Sequence, residues 1–481
     1  MLRLAGSVLE KCRKYAVKRM LTTMESDKNL YNFRDMPRPK GLPLIGTKLD
    51  FLLAGSGAKL HEYIHKRHEQ LGPYFCEKFG KSNIVFISDP QIMKMLFLKL
   101  EGKYPAHILP DPWLLYEKVY GFKRGLFFMD GEEWLQNRRI MNKFLLREGT
   151  EKWIDEPIKQ VIRDFINKWK SKVTHQSLVP NTDTEFYRLS IDVIVAILIG
   201  PGKKNLSKHY DELLNIFAEE VKKIFATTTK LHAFPLQLCY RLNLKPWQEF
   251  KESVDVSIFL AQKLIKEMLM LNDSKTGLIA KLKEENVSEE NITRIVADFI
   301  IAAGDTTAYT LTWTLYLLSR NKEILNEIRK NDSTYAKYVL KESMRLYPVA
   351  PFLTRILPND AVLGNFKLGK GTPVVASIYT SGRDERNFTK ADSFLPYRWD
   401  RNDGRRSQLN NFESSASLPF ALGARSCIGR KIANIQLTES IKQIADNFDL
   451  KCLNSTEIEA MTSQVLVPNK PINLEFSIRD K

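Results

Sequence analysis

Apolar residues recur at i, i+3 and i+4 through 151–170, 188–199, 209–226, 247–271 and 288–320, the period of helices that bury one face. Leu60–Leu71 predicts a further helix. Asn83-Ile-Val-Phe-Ile87, closed by Asp89-Pro90, predicts a short buried strand. Strand-like pieces return around 361–378 and 463–478, and no internal repeat or low-complexity tract interrupts the series. The pattern predicts a mainly α single domain: a large helical body with small β-sheets.

The amino terminus has a different pattern. Leu2, Ala5, Leu9, Cys12, Ala16 and Met20 share one helical face at ~100° per residue, while Arg3, Lys11, Lys14 and Lys18 fall opposite. Glu10 is the single acid among the first 24 residues. A basic, acid-poor amphipathic helix is the pattern of a mitochondrial presequence, assigned to 1–30, with a solvated surface helix as the competing reading. Three prolines and two glycines in 36–46 cannot continue a helix, so 31–46 is expected to be a Pro-rich linker before a body over 47–481.

Composition narrows the function classes. The chain has 481 residues, 43% of them hydrophobic, with 23 Gly and 21 Pro, which excludes disordered and collagen-like chains. Its net charge of +17 points to acidic partners. The basic residues are spread along the chain without a zinc-finger or RNP-like motif, so no nucleic-acid partner is expected. Five cysteines without a CxxC pair indicate a reducing compartment.

Two stretches carry chemistry. Val296–Leu318 is strongly apolar, yet as a membrane span it would put Asp298 and Asp305 into lipid, so a helix through a soluble core is expected. Within it Gly304-Asp305-Thr306-Thr307 forms a weak turn, where a threonine can hydrogen-bond back to a carbonyl and open a groove for a small ligand. Leu418–Arg430 reads Leu-Pro-Phe-Ala-Leu-Gly-Ala-Arg-Ser-Cys-Ile-Gly-Arg and leads into another helical run. Cys427 therefore sits where a core helix starts, and free N–H groups there favour thiolate. Phe420 can shield the sulfur, Arg425 adds positive charge, and Gly423 and Gly429 let the backbone pass close to something flat. A thiolate so placed suits the axial position of haem iron. Cys12, Cys76, Cys239 and Cys452 are read as structural thiols.

The pattern F-x-x-G-x-R-x-C-x-G at 420–429 resembles that of cytochrome P-450, the haem-thiolate monooxygenases, and the resemblance extends over 36–481. Glu342-Ser-Met-Arg345 and Phe394-Leu-Pro-Tyr-Arg398-Trp resemble two further family motifs in the expected order. The resemblance implies the cytochrome P-450 fold and haem b (iron protoporphyrin IX) ligated by Cys427. It also implies a structural ion network of Glu342, Arg345 and Arg398. Thr306 and Asp305 match the turn that delivers the protons consumed when O2 is activated, with Ala303 where relatives commonly carry glycine. Trp134, Arg138, Arg355 and Arg425 match positions that hold haem propionates, Arg138 being preferred to Arg139.

Lys337 and Lys341 match offsets at which mitochondrial relatives dock an acidic, adrenodoxin-like ferredoxin. The implied enzyme is a mitochondrial one, peripheral to the matrix side of the inner membrane and reduced by NADPH through ferredoxin reductase and ferredoxin. Long strings at 40–46, 125–139, 300–308 and 346–352 resemble the arthropod ecdysteroid 2-hydroxylase branch. They imply a steroid substrate and conversion of 2-deoxyecdysone to ecdysone. Phe225, Phe299, Val349, Phe352, Val465 and Leu466 are the expected apolar pocket residues. The alternatives are hydroxylation at another position, such as carbon 20, and a haem or sterol carrier without turnover.

Overall fold

Ser288 starts the longest of the described helices by accepting a hydrogen bond from the Asn291 N–H, and Glu289 and Glu290 lie in the first turn at its positive end. This central helix, Glu289–Ser319, is buried along most of its length. The computed structural model describes residues 30–479 apart from 43–45, 80–81, 174–176, 201–207, 232–234 and 271–275; the amphipathic amino-terminal segment lies outside them. Thr182–Ile199 packs along the central helix, as does Arg430–Asn447, and both join it in one core. Glu151–Lys172, Lys208–Leu231, Lys245–Met270 and Leu60–Leu71 follow the apolar periodicity closely. No helix among the described residues is long and apolar enough to cross a membrane.

The largest of the described sheets has four strands. Tyr74–Phe79 pairs antiparallel with Ser82–Ile87, which runs parallel to Pro373–Ser377, and Phe352–Ile356 pairs antiparallel with that strand. Arg355 stands on this last strand, whose free edge is bridged by Ala106.

Two stretches differ from the sequence reading. The described part of the Pro-rich segment expected to be a linker is docked, with one 3-10 turn at Phe33–Asp35. Tyr31 and Asn32 pair with Phe366 and Lys367, Met36 enters a core cluster, and Cys76 N–H donates to the Pro37 carbonyl. Extended chain can satisfy a sheet edge as readily as it can span a gap. Asp111–Tyr120, where the sequence reading places no helix, is helical, with Pro112 in its first turn, where a missing N–H costs nothing.

Candidate active site

The cysteine loop is closed by its own backbone, Cys427 N–H donating to the Phe420 carbonyl at 2.8 Å. Gly423 takes a φ of +79°, and a Cβ there would lie 2.2 Å from the Phe97 carbonyl oxygen and 2.3 Å from a Glu101 carboxylate oxygen. Only glycine fits. Gly429 immediately precedes the Arg430–Asn447 helix, and a Cβ on it would meet nothing within 4 Å. Burial pushes the Cys427 thiol up; the Gly429 N–H and the guanidiniums of Arg138 and Arg430 pull it down without overcoming burial. The helix start thus acts in the direction the sequence reading expects, against a larger opposing effect of burial. Cys427 is nonetheless exposed, so it is open to a ligand. Cys76 and Cys239 are buried and Cys452 is half-buried.

Arginines gather around this loop. Arg138 is buried while Arg139 is exposed. One Arg138 Nη donates to the Ser426 carbonyl at 2.5 Å, and its buried Nε has no partner. Burial draws the Arg138 guanidinium down to about 10. Arg425 lies over the Trp134 ring at 4.4 Å and donates to the carbonyls of Pro105 and Met129. Arg355 already has a carboxylate: its Nε donates to Glu101 at 2.8 Å, and the other Glu101 oxygen accepts from Ala424 N–H at 2.6 Å. Glu101, invisible in the sequence motifs, thus ties the edge strand to the cysteine loop.

On the central helix Thr306 Oγ1 donates to the Ala302 carbonyl at 2.7 Å, the back-bonding expected of this turn. Ala302 is the one exposed residue between Asn291 and Ser319, and Thr306 is half-buried. This is an open spot in the middle of an otherwise buried helix. Asp305 is 4% exposed, and burial raises its carboxyl to about 6. Two turns earlier Asp298 pairs with Arg124 at 2.6 Å, a contact absent from the sequence reading.

Behind the loop, Glu342 is wholly buried, as are Arg345 and Arg398. Arg345 grips it through Nε at 3.0 Å and Nη2 at 2.8 Å, and Arg398 Nε donates at 2.8 Å. Burial works to raise this carboxyl, and the two arginines with the Leu395 N–H overcome it, holding it below the ordinary range. Lys337 and Lys341 are exposed on the Ser333–Leu346 helix that carries Glu342.

The expected pocket residues divide. Phe225 and Phe299 adjoin the main core, Leu466 is fully buried, and its N–H donates to the Val349 carbonyl. Phe352 packs in a separate cluster with Phe75 and Val375.

A flat, dianionic macrocycle with a central metal fits this set. It needs a soft donor open to a ligand, which Cys427 offers, and cations without carboxylates of their own, which Arg138 offers through its orphaned Nε. Comparisons with known proteins agree. The cytochrome P450 family profile matches residues 36–476. The chain is 37% identical to cytochrome P450 315a1, mitochondrial, of Drosophila melanogaster, over 92% of this chain and 88% of that protein. It is 28% identical to the rat 1,25-dihydroxyvitamin D(3) 24-hydroxylase, mitochondrial, over 95% and 92%. To cytochrome P450 11B, mitochondrial, of the frog Aquarana catesbeiana it is 28% identical over 87% and 84%.

Proposed function

The chain belongs to the cytochrome P450 family of monooxygenases, and we propose that it is the mitochondrial steroid hydroxylase that converts 2-deoxyecdysone to ecdysone. The observation that carries the chemistry is the accessible Cys427 sulfur beside a buried Arg138 guanidinium that has no carboxylate. Haem b, held through its iron by Cys427, supplies dioxygen binding and one-electron chemistry.

The chain's own residues do the rest. Arg138 and Arg425, with Trp134 beneath Arg425, would hold the propionates; Arg355 lends positive charge while Glu101 fixes its position. Phe420 would shield the sulfur, and the bare Gly429 leaves room for the ring. Thr306 would position a proton at Oγ1, and Asp305, whose carboxyl burial raises to about 6, would supply it. Glu342, Arg345 and Arg398 would keep the loop's support rigid.

Electrons would come from NADPH through ferredoxin reductase and an acidic ferredoxin docking at Lys337 and Lys341. Mitochondrial relatives named for hydroxylating vitamin D support a steroid-like substrate and a mitochondrial location, which we take to be the matrix side of the inner membrane. The ecdysteroid assignment rests on the long strings shared with the 2-hydroxylase branch.

The test is reconstitution with ferredoxin reductase, ferredoxin, NADPH and 2-deoxyecdysone, followed by product identification. Ecdysone is the expected product. A product hydroxylated at carbon 20 would move the assignment within the family, and NADPH-independent binding without product would identify a carrier.

A further inference from the structure

Gly304 lies against the ring of Tyr187, where a Cβ would meet ring carbons at 2.4 and 2.6 Å and the hydroxyl oxygen at 3.0 Å. Only glycine lets a phenol sit this close to the backbone beside Asp305. Tyr187 is 4% exposed and its hydroxyl has no partner. Four residues earlier on the same helix Asp183 is half-buried, with Oδ1 also buried and unpartnered. From the Lys208–Leu231 helix the Lys222 ammonium lies 5.3 Å from the centre of the Tyr187 ring, and Lys222 is half-buried too. Exposure falls from Asp183 and Lys222 at the rim to Tyr187 and Asp305 inside, then rises again at Thr306 and Ala302. Orphaned buried polar groups are costly, and a file of them ending at one carboxyl points to a use.

We propose that Asp183, Lys222 and Tyr187 form the outer half of a proton path that recharges Asp305 from solvent. The proposal rests on the reading that Asp305 and Thr306 deliver protons. Asp305 passes its carboxyl proton towards Thr306 Oγ1 and becomes a carboxylate. The Tyr187 hydroxyl touches neither neighbour directly, so water carries both transfers: Tyr187 gives its phenolic proton through one water to that carboxylate while its oxygen takes one through another from the Lys222 ammonium. A hydronium ion or buffer acid from bulk solvent, reaching the rim beside the Asp183 carboxyl, then reprotonates the Lys222 amine. One proton moves inward and no electron moves.

The charges facing Asp305 suit this role. Burial raises its carboxyl, Lys222 lowers it and Asp183 raises it again. Tyr187 and Tyr309, the other titratable groups facing it, are held far above the ordinary phenol range by burial first and Asp305 second, so exchange at Tyr187 is concerted and no phenolate forms.

Tyr187→Phe keeps the ring on Gly304 and removes the hydroxyl alone. In the reconstituted holoenzyme with 2-deoxyecdysone it should lower the product formed per NADPH by about tenfold, short of the roughly hundredfold a positioned acid supplies. Hydrogen peroxide should rise, the solvent deuterium isotope effect should grow, and haem content should stay at the parent's. An infrared titration of the resting protein, with the Asp305 carboxyl band identified by its loss in Asp305→Asn, needs no turnover. There Lys222→Met should move the Asp305 titration to higher pH and Asp183→Asn to lower pH. If Asp305→Asn uncouples the enzyme while Tyr187→Phe keeps the parent's coupling and isotope effect, the path is wrong and the Asp305–Thr306 reading stands. An unmoved titration in Lys222→Met overturns the path as well. If Asp305→Asn stays fully coupled, that reading falls and the path with it.

Discussion

Trp399 donates its indole N–H to Glu342 Oε2 at 2.8 Å, the fifth hydrogen bond on a carboxylate with no exposed surface. The other four come from Arg345 on the same helix and from Arg398 and the Leu395 backbone, so the distant 395–399 segment is drawn onto one side chain. Removing the carboxylate leaves two buried guanidiniums uncompensated. Glu342→Ala should cost about 3–5 kcal/mol, and Trp399→Phe about 1.5–3 kcal/mol, the range for a hydrogen bond to a charged group. Urea unfolding of both variants checks the ranking. Equal midpoints for Trp399→Phe and parent would remove the indole from the network.

Asp305 is a stability cost at neutral pH. Its carboxyl is raised from 3.8 to about 6 by burial, opposed by Lys222 and aided by Asp183, so the folded protein binds this proton more tightly than the unfolded chain does. That contribution is fully present below pH 3.8 and is lost as pH rises through about 6. Asp305→Asn should therefore stabilise the protein at pH 8 by up to about 3 kcal/mol relative to its effect at pH 4. Chemical unfolding at the two pH values reads the difference. A stabilisation independent of pH would contradict the placement of this carboxyl.

Arg138 and Arg139 are adjacent and opposite in environment, one buried with an orphaned Nε and one exposed. Arg138→Gln should weaken haem retention about ten- to hundredfold, the equivalent of one lost charge-assisted pairing. Arg139→Gln should leave it within about twofold, as surface changes do. Haem transfer to an apo-globin acceptor measures both.

Lys341 lies 5.6 Å from the Trp399 ring centre and 6.0 Å from that of Tyr338, and burial followed by Lys337 lowers its ammonium pKa. Exchanging Lys337 and Lys341 for glutamate should raise the ferredoxin concentration needed for half-maximal turnover by about tenfold or more at low salt, and the difference should shrink as salt rises. Turnover unchanged at every salt concentration would place the docking surface elsewhere.

Much of the fold was legible because it is local. The 3.6-residue period marks Glu151–Lys172 and the central helix within a few residues at either end. The cysteine loop was legible as a contiguous string. What escaped lies in pairings between distant segments. Nothing near Glu101 announces Arg355, 254 positions away. Tyr187 has no local reason to meet Gly304. The Tyr74–Phe79 strand hid because Glu77 breaks its apolar alternation; its buried Oε1 accepts from Tyr63 on a helix, and Arg67 stands 3.7 Å from Oε2. The 31–46 segment was read from its prolines alone, which describe its backbone and not its neighbours.

The whole account depends on sulfur ligation at Cys427, and the carbon monoxide difference spectrum of the ferrous protein tests that most directly. The parent should give a Soret band far to the red of histidine-ligated haem, and Cys427→His should lose that shift while retaining haem. A parent spectrum of the histidine type, or a red-shifted band that survives Cys427→His, would contradict it.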